Sequence, residues 1–319
     1  MIKDLVSIVT PCYNGEEFIA RFLESVLNQT YPKLELIIIN DGSNDQTEEI
    51  IQSYQRRFAD RGINIIYRCQ ENAGQAAALN RGLKLFNGEY MTWVDSDDEL
   101  MPEYVLAKVE YLKAHPQCAF CYGKILFADE NEPDVIVEEM TERKSKMQKS
   151  FIDCLVIDVK EICFTGYMVR SEKLDAVIES RDIFDGRGGQ NAQLLLPLSW
   201  YYGEPDYVEN SVYKSYNRKK SHSHSKNTIA KIIKQLYNYE RILTETLKRI
   251  DDKDIQVYLD RIKKHYAKLR FGNSIGTKDA ELIRKHYIEI KKAGNANRQD
   301  FLLYVKYTNP LTRKVFHVK

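Results

Sequence analysis

The chain has 319 residues, 43% hydrophobic and 29% charged, which is enough apolar material for a large domain and a smaller companion. Lys and Arg number 47 against 46 Asp and Glu, yet residues 211–319 hold 26 basic and 10 acidic side chains, leaving 21 and 36 for residues 1–210. No apolar run reaches the roughly 18 residues that span a bilayer, the start lacks the pattern of a secretory signal, and six irregularly spaced cysteines make no disulfide framework, so a reducing cytoplasm is expected.

In chain order, Leu5–Thr10, Leu34–Asn40, Ile63–Arg68 and Tyr90–Asp95 are short runs rich in Ile, Val and Tyr. They read as strands buried on both faces. Between them, Glu16–Gln29, Gln46–Ala59 and Gln75–Phe86 place apolar residues at helical spacing, with Asn44 or Asp45 as a cap and Gly88 as a stop signal. Strand and helix alternating three times predict a parallel α/β sheet with right-handed crossovers. After Pro102 the spacing predicts a helix at Glu103–Ala114, strands at Cys118–Phe127, Phe164–Arg170 and Tyr207–Tyr216, and a helix at Asn191–Tyr201. Asp129–Lys149 reads as a charged connection. Cys118 and Cys121 form one C-x-x-C inside an apolar run and have no second pair for zinc, so buried thiols are expected. Four amphipathic helices follow, at Asn227–Ile250, Asp254–Leu269, Asp279–Lys292 and Arg298–Tyr307. The domain boundary is placed at residue 222, giving 1–222 and a basic helical region, 223–319.

Ligands of open α/β sheets bind beyond the carboxyl ends of the strands. Here those ends run into Thr10-Pro11-Cys12-Tyr13-Asn14-Gly15, Asn40-Asp41-Gly42-Ser43, Glu71-Asn72-Ala73-Gly74-Gln75 and Asp95-Ser96-Asp97-Asp98. Four polar turns on one edge predict a ligand crevice. Carboxylates crowded at the end of an apolar strand repel one another, and a divalent cation resolves the conflict. A site with few carboxylates and open positions for phosphate oxygens suits Mg²⁺ or Mn²⁺. The alternative is a solvated acidic turn with Asp98 capping the next helix.

These segments resemble the family 2 glycosyltransferases: Val6-Ser7-Ile8-Val9-Thr10-Pro11-Cys12-Tyr13-Asn14, Ile39-Asn40-Asp41-Gly42-Ser43, Asn72-Ala73-Gly74 with Ala78, Asn80 and Gly82, and Asp95-Ser96-Asp97-Asp98. The resemblance is close over residues 4–115 and looser to 222. It implies the GT-A fold, a Rossmann-like, mostly parallel sheet, here with a helical C-terminal region. It also implies a nucleotide-sugar donor. Thr10, Pro11 and Tyr13 match positions that hold base and ribose. Asp41 matches a carboxylate that accepts from a uracil N–H, a reading that suits an acceptor-only group and favours UDP. Asn72 and Gly74 match a loop closing over the nucleotide, with Arg81 as a further contact. Asp97 matches the metal ligand on the diphosphate and Asp95 its neighbour. The implied reaction is metal-dependent, inverting transfer to an acceptor hydroxyl, of hexosyltransferase type, in cell-surface polysaccharide or glycolipid assembly.

The sequence departs from the family where a helix-opening acidic pair usually supplies the general base. Gln190 and Asn191 stand there instead, and amides do not accept a proton at neutral pH. Asp182 and Asp185 are the nearest carboxylates, and Asp185, on a stretch that glycines would let swing, is the expected replacement. Gln193 reads equally as packing within its helix. The amide pair also supports a second reading, a nucleotide-sugar-binding partner without catalysis. His222 and His224 follow Arg218-Lys219-Lys220, where related enzymes have a closing loop, and His224 is a candidate second metal ligand beside Asp97. No nucleic-acid motif accompanies the basic residues. Tyr237, Tyr239, Tyr258, Tyr266, Tyr287, Tyr304 and Tyr307 among many Lys and Arg leave three uses for the tail: packing on the first domain, a homodimer contact, or a peripheral contact with the inner face of the plasma membrane, where a lipid-linked saccharide acceptor would lie.

Overall fold

The structure is a computed structural model and describes residues 1–142, 150–157, 162, 164–186, 188–217 and 228–316. Every residue of Leu34–Asn40, mainly Leu and Ile, is buried on both faces, which demands a strand covered by helices above and below. This strand, β2, runs parallel between β1 (Ile2–Cys12) and β3 (Asn64–Cys69), and β4 (Gly88–Trp93) runs parallel on the other side of β1. Helices α1 (Ile19–Leu27), α2 (Thr47–Arg61) and α3 (Gln75–Leu83) make the crossovers. Ile19, Phe22, Leu23 and Val26 of α1, with Ile51 and Phe58 of α2, pack on Val6, Ile8, Leu36 and Ile38. α3 lies on the opposite face, with Gly82 against Val9, Ile37 and Ile39. The chain leaves β1 toward β2 and β3 and returns beyond it as β4. Strand order therefore reverses between β1 and β4, the place where a crevice opens at the carboxyl ends.

The second half adds β5 (Glu99–Leu100), α4 (Tyr104–Ala114), β6 (Phe120–Asp129), β7 (Ile136–Met140), α5 (Phe151–Val156), β8 (Tyr167–Arg170), α6 (Ser171–Val177), α7 (Gln190–Tyr202) and β9 (Asp206–Asn217). The sheet order is β3-β2-β1-β4-β8-β6-β9-β5, with β7 on β6. β8 is antiparallel to β4 and β6, while β6 and β9 are parallel. The mostly parallel α/β architecture expected from the sequence is present. α4 covers this half with Tyr104, Val105, Val109 and Leu112, and it also buries Lys108 completely. The Lys108 Nζ lies 3.3 Å from the centre of the Tyr104 ring and has no hydrogen-bond partner among the described residues. Burial pushes its pKa well below the ordinary lysine value.

Several local expectations are corrected. Gly88 is not a helix stop, because α3 ends at Leu83 and Gly88 opens β4. It is needed there because a Cβ would stand 2.6 Å from the Leu5 carbonyl oxygen. The charged connection after residue 129 contains β7, an exposed edge strand held by pairing with β6 and by the Lys124–Glu139 ion pair. α2 begins at Thr47, whose N–H donates to Asp45 Oδ1 at 3.1 Å. The expectation of buried thiols holds: Cys118 and Cys121 are both buried, and burial pushes both thiols up, Cys118 to about 12.

The chain divides into two compact units, Met1–His224 and Ser225–Lys319. The second consists of α8 (Ile229–Leu247), α9 (Ile255–Thr277), α10 (Ala280–Lys292), α11 (Arg298–Thr308) and α12 (Pro310–Val315). Its core gathers Ala267, Phe271, Ile283 and Ile290 under Tyr287, Leu303 and Tyr304. Arg270 is buried and donates to Glu240 and, at 3.0 Å, to Glu289, joining α8, α9 and α10. The Tyr237 hydroxyl donates to Glu289 at 2.5 Å. α9 continues eight residues beyond the expected Leu269, through Gly272 and Gly276, since packing outweighs the glycine cost of roughly 1 kcal/mol each. Among the described residues, no helix is long and apolar enough to cross a membrane.

Candidate active site

Asp41 is the centre of the crevice rim. It is 2% exposed, at the end of β2. Its Oδ1 accepts from the Gln70 side chain at 2.7 Å and from the Ala73 N–H at 2.9 Å, and its Oδ2 accepts from the Gly74 N–H at 2.8 Å. The Asn72 amide donates to its backbone carbonyl at 3.0 Å. Gly74 has φ +95°, a left-handed conformation that presents its N–H to the carboxylate at little cost only without a Cβ. The β1 turn is tied to the β2 turn as well: Asn14 N–H donates to Ser43 Oγ at 2.9 Å, and Gly15 N–H donates to Thr47 Oγ1 at 2.6 Å. Tyr13 projects from this turn, 45% exposed. Pro11 is half-buried beside it. Thr10 is fully buried, of the same strand parity as Val6 and Ile8, and its hydroxyl has no partner among the described residues. Arg81 donates to the Cys69 carbonyl at 2.6 Å, bracing the end of β3.

The carboxylates after β4 separate into two kinds. Asp95 and Asp97 are half-buried, and Asp95 Oδ1 accepts from Gln75 at 2.7 Å, so this turn is joined to the loop that Asp41 holds. Asp98 is buried, accepting from the Tyr213 hydroxyl at 2.6 Å and the Tyr216 N–H at 3.3 Å. Burial first, and the Asp95 charge second, push its carboxyl upward. It does not cap α4, whose N-cap is Glu103, but fastens β9 to the turn. Arg21 adds a second fastening: it donates to the Asp97 carbonyl at 2.8 Å and lies over the Tyr216 ring at 3.5 Å. Among the described residues no three His, Cys, Asp or Glu side chains form an ion cage by themselves. Two half-buried carboxylates beside an open crevice instead fit an Mg²⁺ or Mn²⁺ ion that shares its coordination with phosphate oxygens and water. His222 and His224 lie outside the described residues.

The stretch before α7 is fastened through residue 184. The Asn80 side chain of α3 accepts from the Ile183 N–H at 2.7 Å and donates to its carbonyl at 2.8 Å. Gln193 of α7 does the same at Phe184, accepting at 2.7 Å and donating at 2.9 Å. Gln193 is therefore a clamp rather than plain helix packing. The freely swinging stretch expected from its glycines does not include residues 183 and 184. Asp185 follows directly and is exposed, whereas Asp182 is paired with Lys84 at 3.2 Å. Gln190 is buried at the start of α7 and Asn191 half-buried beside it. These clamps bring the α7 end to the α3 side of the crevice. The sequence reading missed Gln70, Gln75, Arg21, Asn80, Gln193 and Tyr213 as organisers. Asn80 stands in the segment that carries the family resemblance, Gln75 adjoins Asn72-Ala73-Gly74 and Gln193 follows the Gln190-Asn191 pair, so these three were within reach, whereas Gln70, Arg21 and Tyr213 carry no sequence signal.

Residues 7–178, more than half of the chain, match the family model described as Glycosyl transferase family 2. The chain belongs to glycosyl transferase family 2. TuaG of Bacillus subtilis (strain 168), a glycosyltransferase named for teichuronic acid biosynthesis, is 33% identical over 159 residues, 49% of this chain and 62% of TuaG. Glycosyltransferase GlyA of Streptococcus pneumoniae serotype 4 is 39% identical over 105 residues, 33% of this chain and 14% of GlyA. The matched segments span less than two thirds of these relatives' own lengths. Among solved structures, S. aureus TarS 1-349 in complex with UDP is similar with a TM-score of 0.58 at 14% identity, over 99% of this chain and 92% of that chain. Mannosyltransferase PcManGT from Pyrobaculum calidifontis, in complex with GDP-Man and Mn²⁺, gives 0.53 at 16% identity, over 98% and 85%. The likeness establishes the GT-A fold. In this family 2 member the matched segment contains Thr10, Asp41, Gly74, Asp95 and Asp97, whereas Asp185, Gln190 and Asn191 lie beyond it.

Proposed function

We propose that this chain is an inverting, metal-dependent glycosyltransferase that moves a sugar from a UDP-linked donor to an acceptor hydroxyl, from the cytoplasmic side, in cell-surface polysaccharide or glycolipid assembly. The observation that carries the reading is the continuous rim from Asp41 through residues 70–75 to Asp95. It joins a carboxylate suited to a base imide with a carboxylate turn suited to a diphosphate-bound cation. The name of TuaG supports the polysaccharide setting, and the UDP bound to TarS supports the donor.

On this reading Asp41 uses its remaining acceptor site for the uracil N–H, and Tyr13 offers its exposed ring to the base. Asp97 and Asp95 would hold Mg²⁺ or Mn²⁺, which neutralises charge on the leaving diphosphate. Gln75 orients Asp95. The acceptor oxygen attacks the anomeric carbon opposite the diphosphate, and the sugar–phosphate C–O bond breaks as the new one forms. Asp185 takes the hydroxyl proton from its fastened turn, while Gln190 and Asn191 bind sugar hydroxyls through their amides.

A second reading, nucleotide-sugar binding without transfer, is favoured by Gln190 and Asn191 alone. Donor hydrolysis and calorimetry together test both. UDP release from UDP-sugars that needs Mn²⁺, stops with chelator and disappears in Asp97→Ala supports the enzyme. Binding with no release from any UDP-sugar supports the second reading. GDP-Man on the same fold makes the base an open contest, and equal affinities for UDP, GDP and CDP would overturn the donor assignment.

A further inference from the structure

We propose that the corner between α11 and α12 docks on an anionic lipid bilayer. This surface belongs to the second unit, and the proposal does not rest on the catalytic reading. Five apolar side chains stand out from it: Phe301 and Leu302 (50% and 56% exposed), Leu311 and Val315 (74% and 72%), and Phe316 (56%). Helical spacing places Arg298, Phe301, Leu302 and Val305 on one stripe of α11, and Leu311 and Val315 one turn apart on α12.

The corner is a built feature. Asn309 ends α11 and caps α12, accepting from the Leu311 N–H at 2.9 Å. Thr312 Oγ1 donates to the Val305 carbonyl at 2.7 Å, and Arg313 donates to that of Tyr307 at 3.2 Å. With Thr312 and Arg313 engaged on α11, Leu311 and Val315 are left on the outside. No energetic reason within the unit favours this, because burying either residue would contribute roughly 25 cal/mol per Å² of apolar surface.

Charge selects the occupant. Between Arg298 and Phe316 the single acid is Asp300, which is buried, bonded to Lys268 at 2.5 Å and engaged in the capping box of α11. Arg298, Lys306, Arg313 and Lys314 are the cations, and Lys306 Nζ lies 4.8 Å from the centre of the Phe316 ring. A shallow groove of about 450 Å³, lined by Ala280, Thr308, Pro310, Arg313 and Lys314, opens at the same corner and has room for a headgroup. Apolar side chains rimmed by cations match the boundary between acyl chains and anionic headgroups. A second copy of the chain carries the same excess, 22 basic against 10 acidic residues over 225–319, so two such patches repel. Four of the seven tail tyrosines serve elsewhere: Tyr266 is buried, Tyr237 is bonded to Glu289, and Tyr287 stacks on Tyr304 at 4.2 Å.

The test is co-sedimentation of the full chain with vesicles of phosphatidylcholine alone or mixed with phosphatidylglycerol, at low and high salt. The expected result is binding to the mixed vesicles only, weakening with salt, with a partition coefficient at least about tenfold lower in Leu311→Asp/Val315→Asp. Lys314→Glu, at an exposed position, is expected to lower it about fivefold or more. Unchanged circular dichroism and an unchanged thermal unfolding midpoint show that both variants are folded. Equal binding to neutral vesicles, no binding to either, or variants that bind like the parent would overturn the proposal. So would a lipid-free dimer that the double variant dissociates, since the occupant is then a second copy.

Discussion

With Gln70, Ala73 and Gly74 all donating to its carboxylate, Asp41 keeps one of the roughly four acceptor sites such a group offers. Its removal therefore has two effects that sequence reasoning alone does not separate. A hydrogen bond to a charged acceptor contributes about 1.5–3 kcal/mol, so Asp41→Ala should weaken UDP about ten- to a hundredfold. It should also, without nucleotide, speed solvent exchange at the Ala73 and Gly74 amides. Unchanged affinity together with unchanged exchange would refute both roles. Asp97 and Asp98 should diverge in the same manner. Asp98→Ala leaves the buried Tyr213 hydroxyl without its acceptor, a loss of about 1–3 kcal/mol that thermal unfolding will report. Asp97→Ala should instead be read in activity, abolishing Mn²⁺-dependent turnover. The strand-end rule made Asp41, Asp95 and Asp97 legible. Gln70 was not legible, because a side-chain bond across 29 residues leaves no periodic trace.

Two helices share the work of holding the turn before Asp185, α3 through Asn80 and α7 through Gln193. Gln193→Leu keeps the volume but deprives the Phe184 N–H and carbonyl of partners, so it should lower stability by about 1–3 kcal/mol and slow transfer while UDP affinity holds. Asp185→Asn should slow transfer by at least about a hundredfold, again with UDP affinity nearly unchanged. Normal transfer rates in Asp185→Asn would remove Asp185 from the mechanism. The elements that were legible from sequence are those with a strong period or full burial: β2, whose seven residues are all buried, and α8 and α10 with their apolar stripes. β7 was not legible because it is exposed on both faces and thus shows no alternation. α5, α6 and α12, at six or seven residues each, are too short to display helical spacing, although Pro310 at the start of α12 suits a helix opening.

At the scale of the molecule, the division into an acidic first part and a basic tail was visible from charge counts, and each unit has its own apolar core. Lys108 was invisible to such counts, which do not separate a buried lysine from a solvated one, although its spacing from Val105, Val109 and Leu112 sets it on the buried stripe of α4. Its burial without a hydrogen-bond partner lowers the pKa of the folded amine, so folding of the first unit releases a proton from this lysine at any pH between the folded and the unfolded value. Because the folded pKa lies below the unfolded one, this lysine penalises the fold at neutral pH. The penalty shrinks by about 1.4 kcal/mol per pH unit, per proton, as pH rises toward the unfolded value near 10.5. Lys108→Met, which keeps the stem and removes the amine, should stabilise the protein at pH 7 and flatten this slope. Refolding heats measured in buffers of different ionisation enthalpy should show one proton fewer released by the variant, and an equal count in both proteins would mean that Lys108 stays charged in its apolar site.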